Sequence, residues 1–248
     1  MFEEDLCLTR NDGIYEANFV RNLFDEMAQT YGIVNLLSSF GFAARWRKQC
    51  IRLVDIGSGS TVVDLMTGMG ELCPDLARLV GPSGKIRAVD ISPMMCRRAQ
   101  QSALRCGCPV EVIEGDVLDW EVEAEWADVV VSTFGLKTLS TPQSAQLAEQ
   151  IMRLLKPGGS FSLLEISVPA PGALRVPYMF YIKHVIPLIG SAFLGNPENY
   201  RMLGRYTEAF GSCANIRDEF AQVGLIAQQA DLFFGCATAV FGYKPLNC

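Results

Sequence analysis

The stretch V-V-D-L-M-T-G-M-G-E, residues 62–71, decides the fold. An apolar, valine-rich run ends at Asp64 to Met66, and a turn containing Gly68 and Gly70 leads into a helical pattern. That order reads as strand, close-approach loop and helix, with backbone free to near a ligand at the carboxyl edge of a sheet. No Gly-Lys-Ser/Thr follows, so the turn is not a phosphate loop, and the three spaced glycines of a dinucleotide fingerprint are missing. Asp64 and Glu71 flank the turn instead, which suits a cationic ligand bearing an ammonium and a sulfonium and argues against pyrophosphate.

Outward from this turn, short β-rich runs alternate with helical patterns. TVVDLM is followed by ELCPDLARLV, KIRAVDI by PMMCRRAQQSALR, then PVEVIEG, ADVVVSTF, SAQLAEQIMRLL and SFSLLEIS. Alternation of this kind predicts a parallel sheet with crossover helices. The strand runs are continuously apolar, as expected for strands buried on both faces. LKPGG at 155–159 is a helix stop, with Gly158 or Gly159 taking the left-handed conformation. Upstream, Phe19, Leu23, Met27, Ile33, Leu36, Leu37 and Phe40 recur at helical spacing and predict two or three helices ending in a basic RWRK tetrapeptide. Downstream, the Pro- and aromatic-rich stretch 168–210 reads as a helical insertion, and the chain closes with a helix pattern and two strand patterns about Gly235. The organisation is an N-terminal helical cap at 1–50, a Rossmann-like core at 51–167, a helical insertion at 168–210, and a helix and hairpin at 211–248 completing the sheet.

Composition narrows the class. Hydrophobic residues make up 50% of the 248 and charged residues 19%, which excludes a disordered chain. The balance of 21 Lys+Arg against 27 Asp+Glu gives a net charge of -6, so counterion release cannot drive nucleic-acid binding. Nine scattered cysteines with no C-x-x-C pair, beside a single histidine, indicate neither a disulfide framework nor a metal site. The acidic N-terminus lacks the features of a secretion signal, and a reducing cytoplasm is the expected location. The most apolar stretch, 177–195, is broken by Lys183, His184 and Pro187 and falls short of a membrane span. It reads as a buried cap helix, with contact at a membrane surface as the alternative.

Two further strands end in acid. Asp90 lies about 20 residues past the glycine turn, where a carboxylate accepts hydrogen bonds from ribose hydroxyls, and Asp116 sits on the same edge within E-G-D-V. Each aspartate alone could equally cap the next helix. Together with Asp64 they mark one ligand site at three successive strand ends.

This constellation resembles the class I S-adenosylmethionine-dependent methyltransferases, and more closely the ubiquinone and menaquinone biosynthesis C-methyltransferases, the UbiE family. FDEMAQTYGIVNLLSSFGFAARW keeps Tyr31, Asn35, Ser39 and Trp46 of that family's N-terminal signature, while Gly32, Val34 and Ala43 depart from it. GPSGKIRAVDISPMM, LLKPGGSFSLLEIS and NYRMLGRYTEAF have close family analogues. The resemblance implies a seven-stranded, mostly parallel sheet with a final antiparallel strand, and S-adenosylmethionine as cofactor without a metal. It places Thr67, Gly68, Met69 and Gly70 around the methionine part, Asp90 and Ile91 at the ribose, Asp116 and Val117 at the adenine, and Thr133 beside the sulfonium, with Tyr31 also at the site. It admits a homodimer through the N-terminal helices.

The departures concern the acceptor. Where the family reads F-G-[LI]-R-N, this chain has Phe134 followed by Gly-Leu-Lys137-Thr138, so the Arg-Asn pair thought to help a water deprotonate the quinol is replaced. Lys137 either holds a phenolate oxygen or is a solvated loop charge; an ammonium cannot reproduce a bidentate guanidinium. His184, the only imidazole, is either a base over the acceptor or a structural side chain. Phe134, Thr138, Tyr178, Tyr181, Tyr200 and Arg201 are the candidate acceptor contacts, with cap packing as the alternative for the aromatics. The RWRK tetrapeptide reads as a solvated helix end or as a point of approach to an anionic membrane. The expected reaction is methyl transfer to carbon of an apolar, electron-rich small molecule, a quinol or a natural-product intermediate. The rivals are an N- or O-methyltransferase of the same fold and a cyclase or pericyclase that keeps the cofactor as a support.

Overall fold

The computed structural model of the chain describes residues 12–193 and 195–246. Three helices come first, α1 (Ala17–Met27), α2 (Tyr31–Ser38) and α3 (Phe42–Ile51). The alternating core follows as β1 (Thr61–Leu65), α4 (Cys73–Val80), β2 (Lys85–Asp90), α5 (Pro93–Ala103), β3 (Val110–Glu114), β4 (Ala127–Thr133), α6 (Thr141–Leu154) and β5 (Leu155–Ile166). The insertion carries α7 (Arg175–Phe180), α8 (Ile186–Ala192) and α9 (Pro197–Phe210). The chain ends in α10 (Ala214–Gln222), β6 (Ile226–Leu232) and β7 (Ala237–Tyr243).

The seven strands lie in the order β3-β2-β1-β4-β5-β7-β6, and β7 alone runs antiparallel to its neighbours. Strand order reverses between β1 and β4, so their carboxyl ends open a crevice where α/β sheets bind ligands. Successive side chains point to opposite faces. Val63, Leu65, Val130 and Phe161 therefore join the core under α6 and α10, while Val62, Val129 and Val131 pack on the α4 side. β1 and β4 are buried on both faces as their sequence implies. β3 is not: at the sheet edge, Glu111 and Glu114 are exposed and its apolar residues are half-covered. The helix stops where expected, but not through a glycine cap: α6 ends at Leu154, Leu155 is already extended and opens β5, and Gly158, at φ +79°, lies within that strand.

The insertion is helical but less buried than its composition implies. No residue of α7 is buried, and Val176, Phe180 and Leu188 are exposed. Between α7 and α8 the helix widens to a π-helical turn at Tyr181–Val185. Pro187 follows it, and since proline cannot donate to the carbonyl one turn earlier, the ladder loosens there. Among the described residues no helix is long and apolar enough to cross a membrane. The seven cysteines in the described part are free, and Cys7 and Cys248 lie outside it.

Candidate active site

The glycine turn is built as its sequence suggests. Gly68 and Gly70 take φ +59° and +72°, and Gly70 lies so close to α5 that a Cβ would stand 3.0 Å from the Ala99 Cα. β2 fixes the turn from the side: the Gly68 N–H donates to Asp90 Oδ2 at 2.7 Å, and the Ser92 N–H donates to Oδ1 at 2.9 Å. Asp90 lines the cavity above the turn, although it is almost buried. Burial pushes its carboxyl up to about 6, against the pull of those two N–H donors.

Asp64, at the end of β1, is more deeply set. Its Oδ2 accepts the Thr67 hydroxyl at 2.5 Å, while its Oδ1 is buried with no hydrogen-bond partner. Burial pushes this carboxyl up to about 7. An acceptor left without a donor beside a turn that faces a cavity is what a cationic ligand or a water would complete.

The cavity over the turn brings together Thr67, Gly68, Asp90, Ile91, Asp116, Val117, Thr133, Phe134 and Thr138. Met95 and Leu118 give it apolar walls suited to a flat base, and Asp116 stays partly exposed while accepting the Leu118 N–H at 3.0 Å. Asp64, Met69 and Gly70 do not line it. Met69 instead lies under Gly32 of α2, and Gly70 supports the turn against α5. The roof comes from the N-terminal helices: Val20 and Phe24 of α1, with Tyr15 before it, close over the crevice. Asp25 of α1 accepts the Ser92 hydroxyl at 2.5 Å and the Met94 N–H at 3.1 Å, tying this roof to the start of α5.

A second, more apolar cavity of about 250 Å³ lies beyond Tyr31 and Phe134, which border both spaces. Phe42, Trp46, Ile166, Ile182 and Tyr178 wall it, and Tyr181 and Tyr200 also face it. These phenols are anchored: Tyr178 donates to the Cys236 carbonyl and Tyr181 to the Ser38 carbonyl, each at 2.8 Å, while Tyr200 shares a hydrogen bond with Thr30 at 2.8 Å. Burial pushes all four tyrosines, Tyr31 included, above the ordinary phenol range.

Lys137 borders this cavity and is no solvated loop charge. Its Nζ donates to Glu165 Oε1 at 2.9 Å and to the Phe134 carbonyl at 2.6 Å, with the lysine 4% and the glutamate 0% exposed. Glu165 also accepts the backbone N–H groups of Lys137 and Ile166. A buried ion pair so bonded holds its ammonium in one place. Thr138, expected at the acceptor, lines the cofactor cavity instead and donates to the Gly135 carbonyl at 2.7 Å.

Two candidates fall elsewhere. His184 is exposed on the outer face of the insertion, its ring 4.8 Å from that of Phe180, and it borders a separate surface groove. Arg201 lines the same groove and pairs with Glu198 one turn earlier on α9. Helix phase explains both. Ile182 and Tyr200 take the inward positions, so Lys183, His184 and Arg201 turn out.

The site also contains residues that the sequence reading did not single out. Arg47, within the basic tetrapeptide, is no solvated helix end. Its Nη2 donates to Glu71 Oε1 at 2.8 Å, and its guanidinium lies 5.2 Å from the centroid of the Phe134 ring. Its signal was its place beside Trp46 on a helix with one buried face. Glu165 was legible too, as a fourth carboxylate at a strand end.

A mostly parallel seven-stranded sheet with this glycine turn, strand-end carboxylates and helical roof defines a class I methyltransferase, and its site fits S-adenosylmethionine. Residues 12–244 match the ubiE/COQ5 methyltransferase family, and the chain belongs to it. It is 28% identical over 249 residues to a demethylmenaquinone methyltransferase of Desulfitobacterium hafniense (strain Y51), covering 98% of this chain and 97% of that one. It is 30% identical over 228 residues to the demethylmenaquinone methyltransferase of Bacillus mycoides (strain KBAB4), covering 91% and 95%. Among solved structures, the DhpI–SAH complex superposes with TM-score 0.64 at 17% identity over 94% of this chain and 98% of that one. The Haloferax volcanii putative methyltransferase solved with the Trm112 activator gives 0.61 at 20% identity over 90% and 97%. The chain is an S-adenosylmethionine-dependent methyltransferase.

Proposed function

We propose that the chain transfers the methyl group to a carbon atom of an apolar, electron-rich, hydroxylated ring such as a quinol. The observation that carries this reading is the wall shared by the two cavities, where Tyr31 and Phe134 stand between the cofactor site and a largely aromatic chamber. Relatives described as demethylmenaquinone methyltransferases support a quinol-like acceptor.

When bound, the cofactor supplies a methyl group on a good sulfonium leaving group, so the protein's work is alignment, exclusion of water and management of one proton. Asp90 holds the ribose, Asp116 and Val117 the adenine, and the Thr67–Gly68 turn the methionine part. Phe134 and Tyr31 keep the path between the cavities narrow and dry. Lys137 Nζ has two of its three N–H bonds committed to Phe134 and Glu165, which leaves one for an acceptor oxygen. An ammonium there favours the phenolate, which pushes electron density onto the ring carbon. The raised phenols stay protonated at neutral pH and serve as donors, so water is the carrier for the departing proton. His184 plays no part from its outward position.

Lys137 and Thr138 in place of the family's Arg-Asn pair favour an acceptor altered from the usual quinol, as in specialised natural-product synthesis. Exposed Phe40, at the mouth of the chamber, and Phe234, edge-on to the mouth residue Phe233, suit brief contact with a lipid surface carrying such a molecule. The test is incubation with S-adenosylmethionine labelled in its methyl carbon and a short-chain demethylmenaquinol kept reduced. Label on a ring carbon supports the reading. Label on oxygen selects the O-methyltransferase alternative, and cofactor binding without transfer to quinols selects a different acceptor or a rearrangement.

A further inference from the structure

A polar side chain in an apolar chamber costs free energy unless it finds a hydrogen-bond partner. Most of those around the acceptor chamber have one. The hydroxyls of Tyr178, Tyr181 and Tyr200 are anchored as described, Thr207 donates to the Leu203 carbonyl at 2.9 Å, and Ser39 donates to the Leu36 carbonyl at 3.4 Å. Three side chains that line the chamber, Tyr31, Asn35 and Ser38, make no hydrogen bond among the described residues.

All three belong to α2, and their helical spacing puts them on one face. That face looks inward, beside buried Val34, and Ser38 is only 7% exposed. The outward positions, Ile33, Leu36 and Leu37, are apolar and exposed. The helix is thus inverted, since water would draw the amide and the hydroxyl out and leave the leucines buried. With no hydrogen bond from the described residues to stabilise it, the inward turn of Asn35 and Ser38 calls for a polar atom on whatever occupies the chamber.

We propose that Asn35 and Ser38 bind a second oxygen of the acceptor, and so select a ring oxygenated at two positions over one with a single hydroxyl. This rests on the acceptor chamber proposed above. Lys137 and α2 then divide the work by charge. The ammonium favours an anionic oxygen. An amide and a hydroxyl are neutral and can each donate and accept, so they hold an oxygen that stays a neutral hydroxyl. Lys137 is fixed to the Phe134 carbonyl at the wall between the cavities, while α2 leads from Tyr31 at that wall toward Phe40 at the mouth. The ring is therefore held at two points, and the oxygen that loses its proton is the one nearer the wall. Asn35 and Ser38 are positioning residues that decide which ring carbon meets the methyl group.

The test is calorimetry on the full chain loaded with S-adenosylhomocysteine, so that no methyl group is transferred. Two ligands are compared without air: 1,4-naphthohydroquinone, which has two hydroxyls, and 1-naphthol, which has one. Lys137 makes the charge-assisted bond and takes the single hydroxyl of 1-naphthol. Wild type should bind the diol several-fold more tightly. S38A should weaken the diol about threefold and N35L about tenfold, while 1-naphthol affinity stays within about twofold in both. This loss of selectivity is a readout that a purely structural role of α2 would not move. Equal weakening of both ligands, equal affinity of wild type for both, or unchanged selectivity in the variants overturns the proposal. Melting temperature checks that each variant is folded, and S38A, which removes a single oxygen, carries the comparison where N35L is not. Failure of wild type to bind either ligand is a different pattern, which removes the acceptor chamber and this inference with it.

Discussion

The carboxylate of Asp90 holds the backbone N–H of Gly68 at 2.7 Å, so the end of β2 fixes the shape of the turn that follows β1. One side chain thus both shapes the glycine turn and lines the ligand cavity. Asp90→Ala should weaken S-adenosylhomocysteine binding by about 1.5–3 kcal/mol, or roughly ten- to a hundredfold, as charge-assisted hydrogen bonds to the ribose are lost. Calorimetry measures this directly, and unchanged affinity would remove the ribose from β2.

The two buried aspartates make binding depend on pH. Burial pushes Asp90 up to about 6 and Asp64 up to about 7, where an unfolded chain has values of about 4. The folded chain therefore holds protons that the unfolded chain releases. Their contribution to stability is complete below about pH 4 and is lost as pH rises through 6 and 7. A ligand that prefers both groups ionised must expel those protons. Titration with S-adenosylhomocysteine at pH 6.5 should release protons, seen as an apparent enthalpy that changes with the ionisation enthalpy of the buffer, and affinity should fall toward pH 5. Proton uptake at pH 6.5 would contradict the placement.

Gly70 supports the turn from beneath. At φ +72° any side chain is strained, and its Cβ would press on the α5 backbone at 3.0 Å. Gly70→Ala should cost about 1–3 kcal/mol in strain alone and lower cofactor affinity by shifting the turn. A melting temperature and a binding isotherm equal to wild type would show that α5 gives way freely.

The cofactor half of the site was legible in the sequence because its signals are local. A valine-rich strand, two glycines and a carboxylate at a strand end each mean the same thing in most contexts, and Gly68, Asp90 and Asp116 line the cavity while Asp64 is buried at the end of β1. The acceptor half was not, because it depends on helix phase and on long-range pairing. Nothing local to Lys137 announces Glu165, which is 28 positions away and lies on the next strand. Nor does the sequence around His184 reveal which side of the π-helical turn faces inward. Arg47 looked solvated only because its partner lies 24 positions further along the chain.

His184 provides the simplest check on the acceptor chamber. It faces outward against Phe180, across the insertion from the cavity. His184→Ala should leave cofactor affinity and turnover within about twofold of wild type, since a surface substitution away from the site changes stability by less than about 0.5 kcal/mol. Formation of S-adenosylhomocysteine with a short-chain demethylmenaquinol as acceptor measures it. A loss of tenfold or more with normal binding would mean that the insertion turns this face inward during the reaction.

Lys137 and Glu165 should behave as one unit. Removing one partner of a buried pair leaves an uncompensated charge, at a cost of about 3–5 kcal/mol. Lys137→Met strands the carboxylate, while Glu165→Gln strands the ammonium but still offers an acceptor to the backbone N–H groups of Lys137 and Ile166. The double variant leaves no buried charge, so it should be more stable than Lys137→Met alone. A double-mutant cycle on melting temperatures reads this as a coupling energy, expected within about 0.5–3 kcal/mol for residues in contact. The double variant should still bind S-adenosylhomocysteine, because Lys137 borders the acceptor chamber and neither partner lines the cofactor cavity. Methyl transfer should be lost in both Lys137 variants, since the ammonium that favours the phenolate is gone. Additive destabilisation would mean that the pair is not coupled, and full transfer by a folded double variant would remove Lys137 from the chemistry.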